Sequence, residues 1–329
     1  MKIFLPFEIK DIGGTATFAR KFSDAVKKNG IEVSNDFSFD FDTLFIIADC
    51  SLWYPIIAKI LGKKIVQRLD GVYHPATPAG KRYPLYNLKM QIIHNFLADV
   101  IIYQSEFSKL SCETFLGKTQ AEKTIIIYNG VDTENIPIKT ITHTEATPIK
   151  LITFAKFRRQ DQIKPIIESV KLLDPRKFTL SIYGSYTENL TASFENLPKN
   201  IKFQGKKSNE ELLQLLHQYD IFLFSDQSAC PNSVLEAMAA GLPVVAFNRG
   251  SIPELLGNNE NGYFVKTINH NPFKNPYPFD FKNYDDFSQK ICEATRKLNE
   301  LSSQSYQKAK DKFNIKKMIE KYKETLIQS

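Results

Sequence analysis

The sequence predicts an α/β protein made of two doubly wound domains of similar size. Its 329 residues, 43% of them hydrophobic, exceed one ordinary core and fit two domains of about 150 residues each. Short runs rich in Ile and Val alternate with amphipathic segments, which is typical of parallel strands with helices between them. The alternation stops once, in the polar segment 133–149, and then restarts, so we place the domain boundary there.

The elements of the first domain follow one another with short connections. "KIFLPF" predicts a strand, and apolar residues at helical spacing in "ATFARKFSDAVKKNG" predict a helix that ends at its glycine. The next strands are "TLFIIA", "KKIVQRL", "DVIIYQS" and "KTIIIYN", and the helices between them lie in "SLWYPIIAKILG", "YPLYNLKMQIIHNFLA" and "SEFSKLSCETFLG". We expect this domain to span residues 1–140.

The second domain repeats the scheme. Its strands are "IKLITFA", "FTLSIYG", "IKFQG", "IFLFS", "VVAF" and "GYFVK", and its early helices lie in "DQIKPIIESVKLL", "SNEELLQLLHQYD" and "VLEAMAA". We expect it to span 141–310, with a final helix over 311–329 that can cross back to the first domain. Ligands of such sheets lie beyond the carboxyl ends of the strands, so two halves facing each other form a cleft lined by strand-to-helix loops.

Composition excludes several classes of protein. The four cysteines include no CxxC pair and the five histidines form no HExxH cluster, so we expect neither a disulfide framework nor a dedicated metal site. The N-terminus lacks the apolar core of a signal peptide, and no apolar run reaches the roughly 20 residues that span a bilayer. These features predict a cytoplasmic protein.

The net charge of +7 points to anionic partners. Basic residues occur in scattered pairs without the interleaved aromatics of nucleic-acid binding, so we expect no nucleic-acid partner. A solvated surface and phosphorylated small molecules both remain compatible with this charge. Peripheral contact with an anionic membrane, through a surface helix such as the one over 83–97, is a further hypothesis.

The stretch "SACPNSVLEAMAAGLPVVAF", from Ser228 to Phe247, contains a strong helix-start pattern. Ser233 and Glu236 have the spacing of a capping box, while Gly241 and Pro243 end the helix. Free N–H groups at such a helix start attract anions, and a carboxylate there can accept two hydrogen bonds from a ribose diol. The pattern alone leaves both a capping role and a ligand-binding role open.

Three other places offer polar groups at strand ends. Gly13 and Gly14 lie between the first strand and helix, where they form either a tight turn or a close approach to phosphate. Arg158 and Arg159 follow the first strand of the second domain and form either an exposed basic turn or a bidentate phosphate site. Asp70 ends the strand "KKIVQRL", where it either caps a turn or accepts a proton from a bound hydroxyl.

The segment "PNSVLEAMAAGLPVVAFNRGSIPELL", followed by "NGYFV", resembles the donor-binding signature of the GT-B glycosyltransferases of family 4, retaining enzymes that use nucleotide-sugars. "YQSEFSKLSCETFLGK", "KTIIIYNGVDT" and "KDIGGTATFARKF" are similar to other parts of that family, so the likeness spans nearly the whole chain. The resemblance implies two Rossmann-like doubly wound domains facing across a cleft (GT-B). Glu236 matches the second acid of the family's E-x7-E motif, which holds the nucleotide ribose.

The resemblance also implies a set of site residues. Asp70, Arg158 and Glu236 take the catalytic positions. Two positions depart from the family: Ser228 stands where the first acid of the motif falls, and Asp161 where a lysine is common, with Lys164 nearby. Asp226 or the backbone amides of 229–232 could substitute for the missing acid. The donor-binding residues are Gly13, Gly14, Arg158, Arg159, Lys164, Ser228, Cys230, Pro231, Asn232, Ser233, Val234 and Glu236.

The expected activity follows from the resemblance. It is retaining transfer of a sugar from a nucleotide-diphosphate sugar to a glycan, lipid-linked or other hydroxyl acceptor in polysaccharide biosynthesis, with no obligatory metal or other cofactor. One alternative is a nucleotide-sugar epimerase, which needs no acceptor. Another is a degenerate, non-catalytic protein that binds a nucleotide or a partner, because Ser228 and Asp161 both remove a charge from the donor site.

Overall fold

The structure is a computed structural model, and it describes residues 1–7, 14–28, 30–77, 79–139, 147–186, 188–192, 194, 196–267, 271–274 and 279–327. It divides into two compact units, Met1–Gly130 with Ile315–Ser329, and Val131–Asn314.

Strands and helices alternate through most of the chain. The strands are β1 Lys2–Phe4, β2 Glu32–Ser34, β3 Thr43–Ile47, β4 Lys64–Leu69, β5 Val100–Tyr103, β6 Lys123–Ile126, β7 Ile149–Lys156, β8 Phe178–Ser185, β9 Ile201–Gly205, β10 Ile221–Phe224, β11 Val244–Phe247 and β12 Gly262–Val265. The helices are α1 Gly14–Lys27, α2 Trp53–Ile60, α3 Tyr83–Ile92, α4 Glu106–Leu116, α5 Lys164–Val170, α6 Glu188–Ala192, α7 Asn209–Leu215, α8 Asn232–Ala239, α9 Ile252–Leu256, α10 Phe281–Arg296, α11 Leu298–Lys312 and α12 Ile315–Ile327. A π-helical turn, Ile93–Leu97, extends α3.

The first unit is a six-stranded sheet in the order β2-β1-β3-β4-β5-β6, and its paired strands are parallel. Successive residues of each strand face opposite sides, so both sides of the sheet are apolar. On one side α1 and α12 pack against Phe45, where Phe18, Phe22 and Tyr322 form an aromatic cluster. On the other side, Ala58, Met90 and Cys112 bring α2, α3 and α4 onto the sheet.

The second unit has the sheet order β12-β11-β10-β7-β8-β9, again with parallel pairs. Its core joins central strand residues such as Leu223 and Val245 to Phe287 and Ile291 of α10. The two sheets with their flanking helices confirm the predicted doubly wound α/β class. In this second sheet the strand order reverses between β7 and β10, and that is where such sheets bind ligands.

The unit boundary lies at Gly130 and Val131, ahead of the expected position at 140. The reason is that the segment before 140 already packs in the second unit. The Lys139 backbone N–H donates to the Ala240 carbonyl at 3.0 Å, and its Nζ lies 2.7 Å from Asp220 Oδ1. Both of these side chains are only 8% exposed. Residues 140–146 lie outside the described part of the chain.

Candidate functional site

Two loops meet at the strand-order reversal of the second sheet. Residues 157–163 follow β7, residues 225–231 follow β10, and the two parallel strands are direct neighbours. Gln162 Nε2 donates to Asp226 Oδ2 at 2.8 Å, and the Ser225 hydroxyl donates to the Gln162 carbonyl. The two loops are therefore tied into one structure at the carboxyl edge of the sheet.

The arginine pair lies in the first of these loops. Gln162 Oε1 accepts the backbone N–H groups of Arg158 at 2.7 Å and Arg159 at 3.1 Å. The Arg158 side chain is exposed, whereas Arg159 Nε lies 3.0 Å from Asp161 Oδ1. Lys164 is the exposed first residue of α5. Asp161 therefore offsets one positive charge of the predicted cluster, and Arg158 and Lys164 carry the exposed ones.

Helix α8 begins at Asn232, with Pro231 as its N-cap and no side-chain capping bond. The predicted capping box of Ser233 and Glu236 is therefore wrong. Proline with φ −70° ends the preceding loop, and the helix begins directly after it, so Ser233 already lies inside the first turn. The predicted end is confirmed: α8 stops at Ala239, and Gly241 adopts a left-handed φ of +78°.

Glu236 projects from the second turn of α8 and is 7% exposed. Its Oε1 accepts a hydrogen bond from Asn209 Nδ2 at 3.2 Å. Asn209 is the first residue of α7, where Ser208 and Glu211 form a capping box. The carboxylate of Glu236 is thus held at the place where α7 begins, after β9.

The predicted donor-binding positions between Ser228 and Val234 divide by burial. Cys230, Pro231 and Val234 are buried, and their side chains contribute to packing. Ser228, Asn232 and Ser233 are partly exposed. These three positions therefore offer polar groups that a ligand can reach.

The loop that follows β11 packs against the backbone of Ser228. Ser251 N–H donates to the Ser228 carbonyl at 3.0 Å. A Cβ atom on Gly250 would lie 2.3 Å from the Ser228 carbonyl oxygen and 2.7 Å from its nitrogen, and Gly250 has a φ of +54°. Only glycine therefore fits this contact without displacing the loop.

Asp70 lies in the first unit, directly after β4. Its Oδ2 accepts from the Thr15 hydroxyl at 2.9 Å and lies 3.3 Å from Arg68 Nη1. Thr15 follows Gly14, which begins α1, so the structure brings Asp70 and the start of α1 together. Gly13 lies outside the described residues. Arg158 and Glu236 belong to the other unit.

Two buried arginines were not predicted from the sequence. Arg68, 1% exposed, donates to the Tyr322 hydroxyl at 3.0 Å and to Asn129 Oδ1 at 3.1 Å, and its guanidinium lies 3.7 Å from the Phe18 ring centroid. Arg249, also 1% exposed, donates to the Ser225 carbonyl at 3.3 Å. A charged residue at or just after the end of an apolar strand is the signal that marks both.

The described residues contain no group of three His, Cys, Asp or Glu side chains arranged to hold a metal ion. Among the same residues, no helix combines the length and the apolar character needed to cross a bilayer.

Residues 136–275 match the family model described as "Glycosyl transferases group 1". This match covers most of the second unit. The matched residues are less than half of the 329-residue chain, so the match shows that the second unit is similar to the group 1 glycosyl transferases.

Two similar curated proteins are named for polysaccharide biosynthesis. The amylovoran biosynthesis glycosyltransferase AmsK of Erwinia amylovora is 28% identical over 160 residues, which cover 44% of this chain and 39% of AmsK. The putative colanic acid biosynthesis glycosyltransferase WcaL of Escherichia coli K12 is 26% identical over 157 residues, which cover 44% of this chain and 38% of WcaL. The chain thus matches less than half the length of either relative.

Solved structures agree in fold over nearly the entire chain. Anabaena HepE, solved in complex with UDP, superposes with a TM-score of 0.75 at 17% identity and covers 99% of both chains. Sucrose-phosphate synthase of Thermosynechococcus elongatus gives a TM-score of 0.78 at 13% identity and covers 98% of both. At these identities the likeness shows the fold alone.

Proposed function

We propose that this chain is a retaining glycosyltransferase that moves a sugar from a nucleotide-diphosphate sugar to a hydroxyl of a glycan or lipid-linked acceptor. The observation that carries the proposal is the buried carboxylate of Glu236, fixed at the start of α7 beside the family's donor-binding loop. The relatives named for amylovoran and colanic acid biosynthesis support a role in polysaccharide synthesis.

Glu236 binds the nucleotide ribose in this proposal. A carboxylate can accept hydrogen bonds from two neighbouring hydroxyls, and its bond from Asn209 at 3.2 Å fixes its orientation before the nucleotide arrives. Helix α8 begins at Asn232 with Pro231 as its N-cap, so Glu236 is not the third residue of a capping box that starts at Ser233. Its position therefore favours ligand binding over capping.

Arg158 and Lys164 neutralise the leaving diphosphate. Both are exposed near the carboxyl edge of the second sheet, and Gln162 fixes the backbone that carries Arg158. Positive groups aimed at the departing phosphate stabilise the charge that develops on it in the transition state. The donor therefore needs no obligatory metal or other cofactor in this mechanism.

The acceptor binds to the first unit in this proposal. Asp70 is held by Thr15 and Arg68 and remains 24% exposed, so its carboxylate can orient an acceptor hydroxyl. We also propose a cytoplasmic location with peripheral membrane contact, which suits a lipid-linked acceptor.

The donor part of the proposal is tested by thermal shift with UDP-, GDP-, ADP- and dTDP-sugars, because a ligand that binds only the folded form raises its melting temperature. At least one donor is expected to raise the melting temperature of the native protein, and Glu236→Gln is expected to abolish most of that rise. Glu210→Gln is the matched control, since Glu210 is an exposed acid in the first turn of α7. A full shift in Glu236→Gln would contradict the ribose assignment.

A nucleotide-binding protein without turnover is the second candidate, because the ion pair between Arg159 and Asp161 offsets a charge at the diphosphate site. A radiolabelled donor that shows binding, supplied with a library of glycan and lipid-linked acceptors, separates the two candidates. Transfer of label supports the transferase, and the anomeric configuration of the product tests retention. Donor binding with no transfer to any acceptor would favour the second candidate.

A further inference from the structure

Exposed apolar side chains concentrate on one side of the first unit. Among the described residues, 16 large hydrophobic side chains are exposed, and 11 of them lie on or beside α2, α3 with its π-helical turn, and α4. Among these, Ile60 is 77%, Leu85 is 74% and Phe96 is 60% exposed. The others are Phe39, Trp53, Ile56, Leu61, Tyr73, Tyr86, Leu88 and Leu110.

These helices form one layer, which we name the α2–α4 face. Their inner sides pack on the same side of the sheet through Ala58, Met90 and Cys112. Helix α2 packs against the π-helical turn, and α3 packs against α4. The exposed residues therefore belong to the outer sides of helices that already have buried inner sides. Exposed apolar side chains that concentrate on one layer of helices indicate an interaction surface.

The same part of the chain carries much of the net charge. Residues 52–116, from α2 through α4, contain eight Lys and Arg and four acids, Asp70, Asp99, Glu106 and Glu113, which gives +4 of the total +7. Asp70 itself is paired with Arg68. Helix α4 is the less basic edge of the face, because Glu106 and Glu113 are exposed on it.

Basic side chains lie near the exposed apolar residues in sequence, along α3 and after α2. Lys81, Arg82 and Lys89 are exposed at and along α3, next to Leu85 and Leu88 in sequence. After α2 the chain forms one wall of a cavity of about 490 Å³ beside Ile60 and Leu61. The basic residues lining that cavity are Lys59, Lys63, Lys64 and Lys123, and the acids are Asp99 and Glu122.

We propose that the α2–α4 face docks on the surface of an anionic lipid bilayer, with Leu85, Leu88 and Phe96 inserted and the basic residues on the headgroups. Helices with apolar and aromatic residues beside lysines lie in the interface in this way. This inference specifies which residues make the membrane contact of the proposed function. It depends on the proposed function only for the biological role of that contact.

Charge favours a bilayer over a second copy of the chain. A twofold interface places the same surface of two copies in contact. The excess positive charge of one α2–α4 face would therefore repel the same charge of the other. An anionic bilayer supplies the opposite charge over a wide area. It also needs no fixed shape to receive side chains that are as exposed as Leu85 and Phe96.

The test is flotation of the full chain with vesicles of phosphatidylcholine, with and without phosphatidylglycerol, at low and high salt. We expect binding to the vesicles with phosphatidylglycerol only, weakened by salt. Leu85→Ser with Phe96→Ser is expected to reduce the partition coefficient about tenfold, because it removes inserted apolar area. Arg82→Gln with Lys89→Gln is expected to reduce it by a similar factor of about ten.

Leu172→Ser with Phe281→Ser is the matched control for the apolar pair, since these side chains are 43% and 69% exposed in the second unit. Lys282→Gln with Lys310→Gln is the control for the charged pair, and both control pairs are expected to bind like the native protein. Circular dichroism checks the fold of each variant.

Three results would overturn the inference: no binding to anionic vesicles, equal binding to neutral ones, or undiminished binding by both α2–α4 variants. If light scattering shows a dimer, and Leu85→Ser with Phe96→Ser dissociates it, the α2–α4 face binds a second copy of the chain instead. Vesicle binding needs no nucleotide-sugar donor. Failure of this test would therefore leave the thermal-shift test of the proposed function unaffected.

Discussion

At the residue scale, single side chains hold the ends of strands in place. Arg68 connects β4 to Tyr322 of α12, to Asn129 and to Asp70, all at 3.0–3.3 Å. Gly250 lets the loop after β11 touch the backbone of Ser228. A substitution at Arg68 removes its hydrogen bonds, and one at Gly250 disturbs its backbone contact. Both changes are expected to lower the stability of the protein.

Arg68→Met is expected to lower the free energy of unfolding by about 3 kcal/mol, because it removes the guanidinium from the buried Tyr322 hydroxyl and from the partly buried Asn129 and Asp70. Urea unfolding measures this change. Tyr322→Phe, combined with Arg68→Met, completes a double-mutant cycle in which we expect the two effects to be less than additive. Arg20→Met, at an exposed position of α1, is the control and is expected to change little.

Gly250→Ala is expected to lower the thermal stability of the protein and to remove the thermal shift given by the donor, because the new methyl group collides with the Ser228 backbone. Gly62→Ala is a matched control. Gly62 has a similar φ of +62°, but there the added Cβ has no heavy atom within 4 Å. Both variants carry the cost of a positive φ, about 1 kcal/mol, so the collision is their difference. Equal effects of the two would contradict this reasoning.

At the scale of elements, the sequence pattern predicted the parallel strands and most helices well, because Ile- and Val-rich runs alternate with amphipathic segments. It missed β2, since Glu32–Ser34 is too short to show a pattern. The spacing of Ser233 and Glu236 predicts a helix that starts at Ser233. The helix begins at Asn232 instead, because Pro231 is its N-cap. The bond between Gln162 and Asp226 was not predictable, since it depends on β7 and β10 becoming neighbours.

The π-helical turn after α3 buries His94. Its Nε2 lies 2.7 Å from the Tyr103 hydroxyl and its Nδ1 lies 2.6 Å from Asn95 Oδ1. Burial lowers the pKa of His94 below the ordinary 6.5, although the hydrogen bond to Asn95 and the charge of Glu113 act in the opposite direction. The neutral imidazole is therefore the form that the native structure favours.

This burial predicts a pH dependence. Below pH 6.5 the unfolded chain binds a proton at His94 that the folded chain does not, so the free energy of unfolding falls as the pH falls. The slope is at most about 1.4 kcal/mol per pH unit, and it ends below the folded pKa. Urea unfolding between about pH 7.5 and pH 5 measures it. His94→Gln should flatten the curve relative to the native protein, and a curve of unchanged slope would rule the assignment out.

At the scale of the whole molecule, the chain builds its first unit from two separate segments. Helix α12 follows the second unit in sequence, yet Met318, Ile319, Tyr322 and Leu326 pack in the core of the first. Tyr322 alone contacts the rings of Phe18, Phe22 and Phe45 at centroid distances of 5.1–5.9 Å. The stability of the first unit therefore depends on this helix.

Tyr322→Ala is expected to lower the free energy of unfolding by about 3–5 kcal/mol, because it empties an aromatic site and removes a partner of Arg68. Denaturant unfolding measures the loss. Lys321→Ala, at the exposed neighbouring position of the same helix, should be nearly neutral. A loss below 1 kcal/mol for Tyr322→Ala would contradict a central role of α12.

The position of α12 also has a consequence for biosynthesis. On the ribosome, residues 131–314 are complete before residues 315–327 are made, so the second unit can fold while the first still lacks its last helix. Until translation reaches Tyr322, the rings of Phe18, Phe22 and Phe45 have no cover from α12. The nascent chain therefore passes through a stage in which its earliest residues are the last to reach their final state.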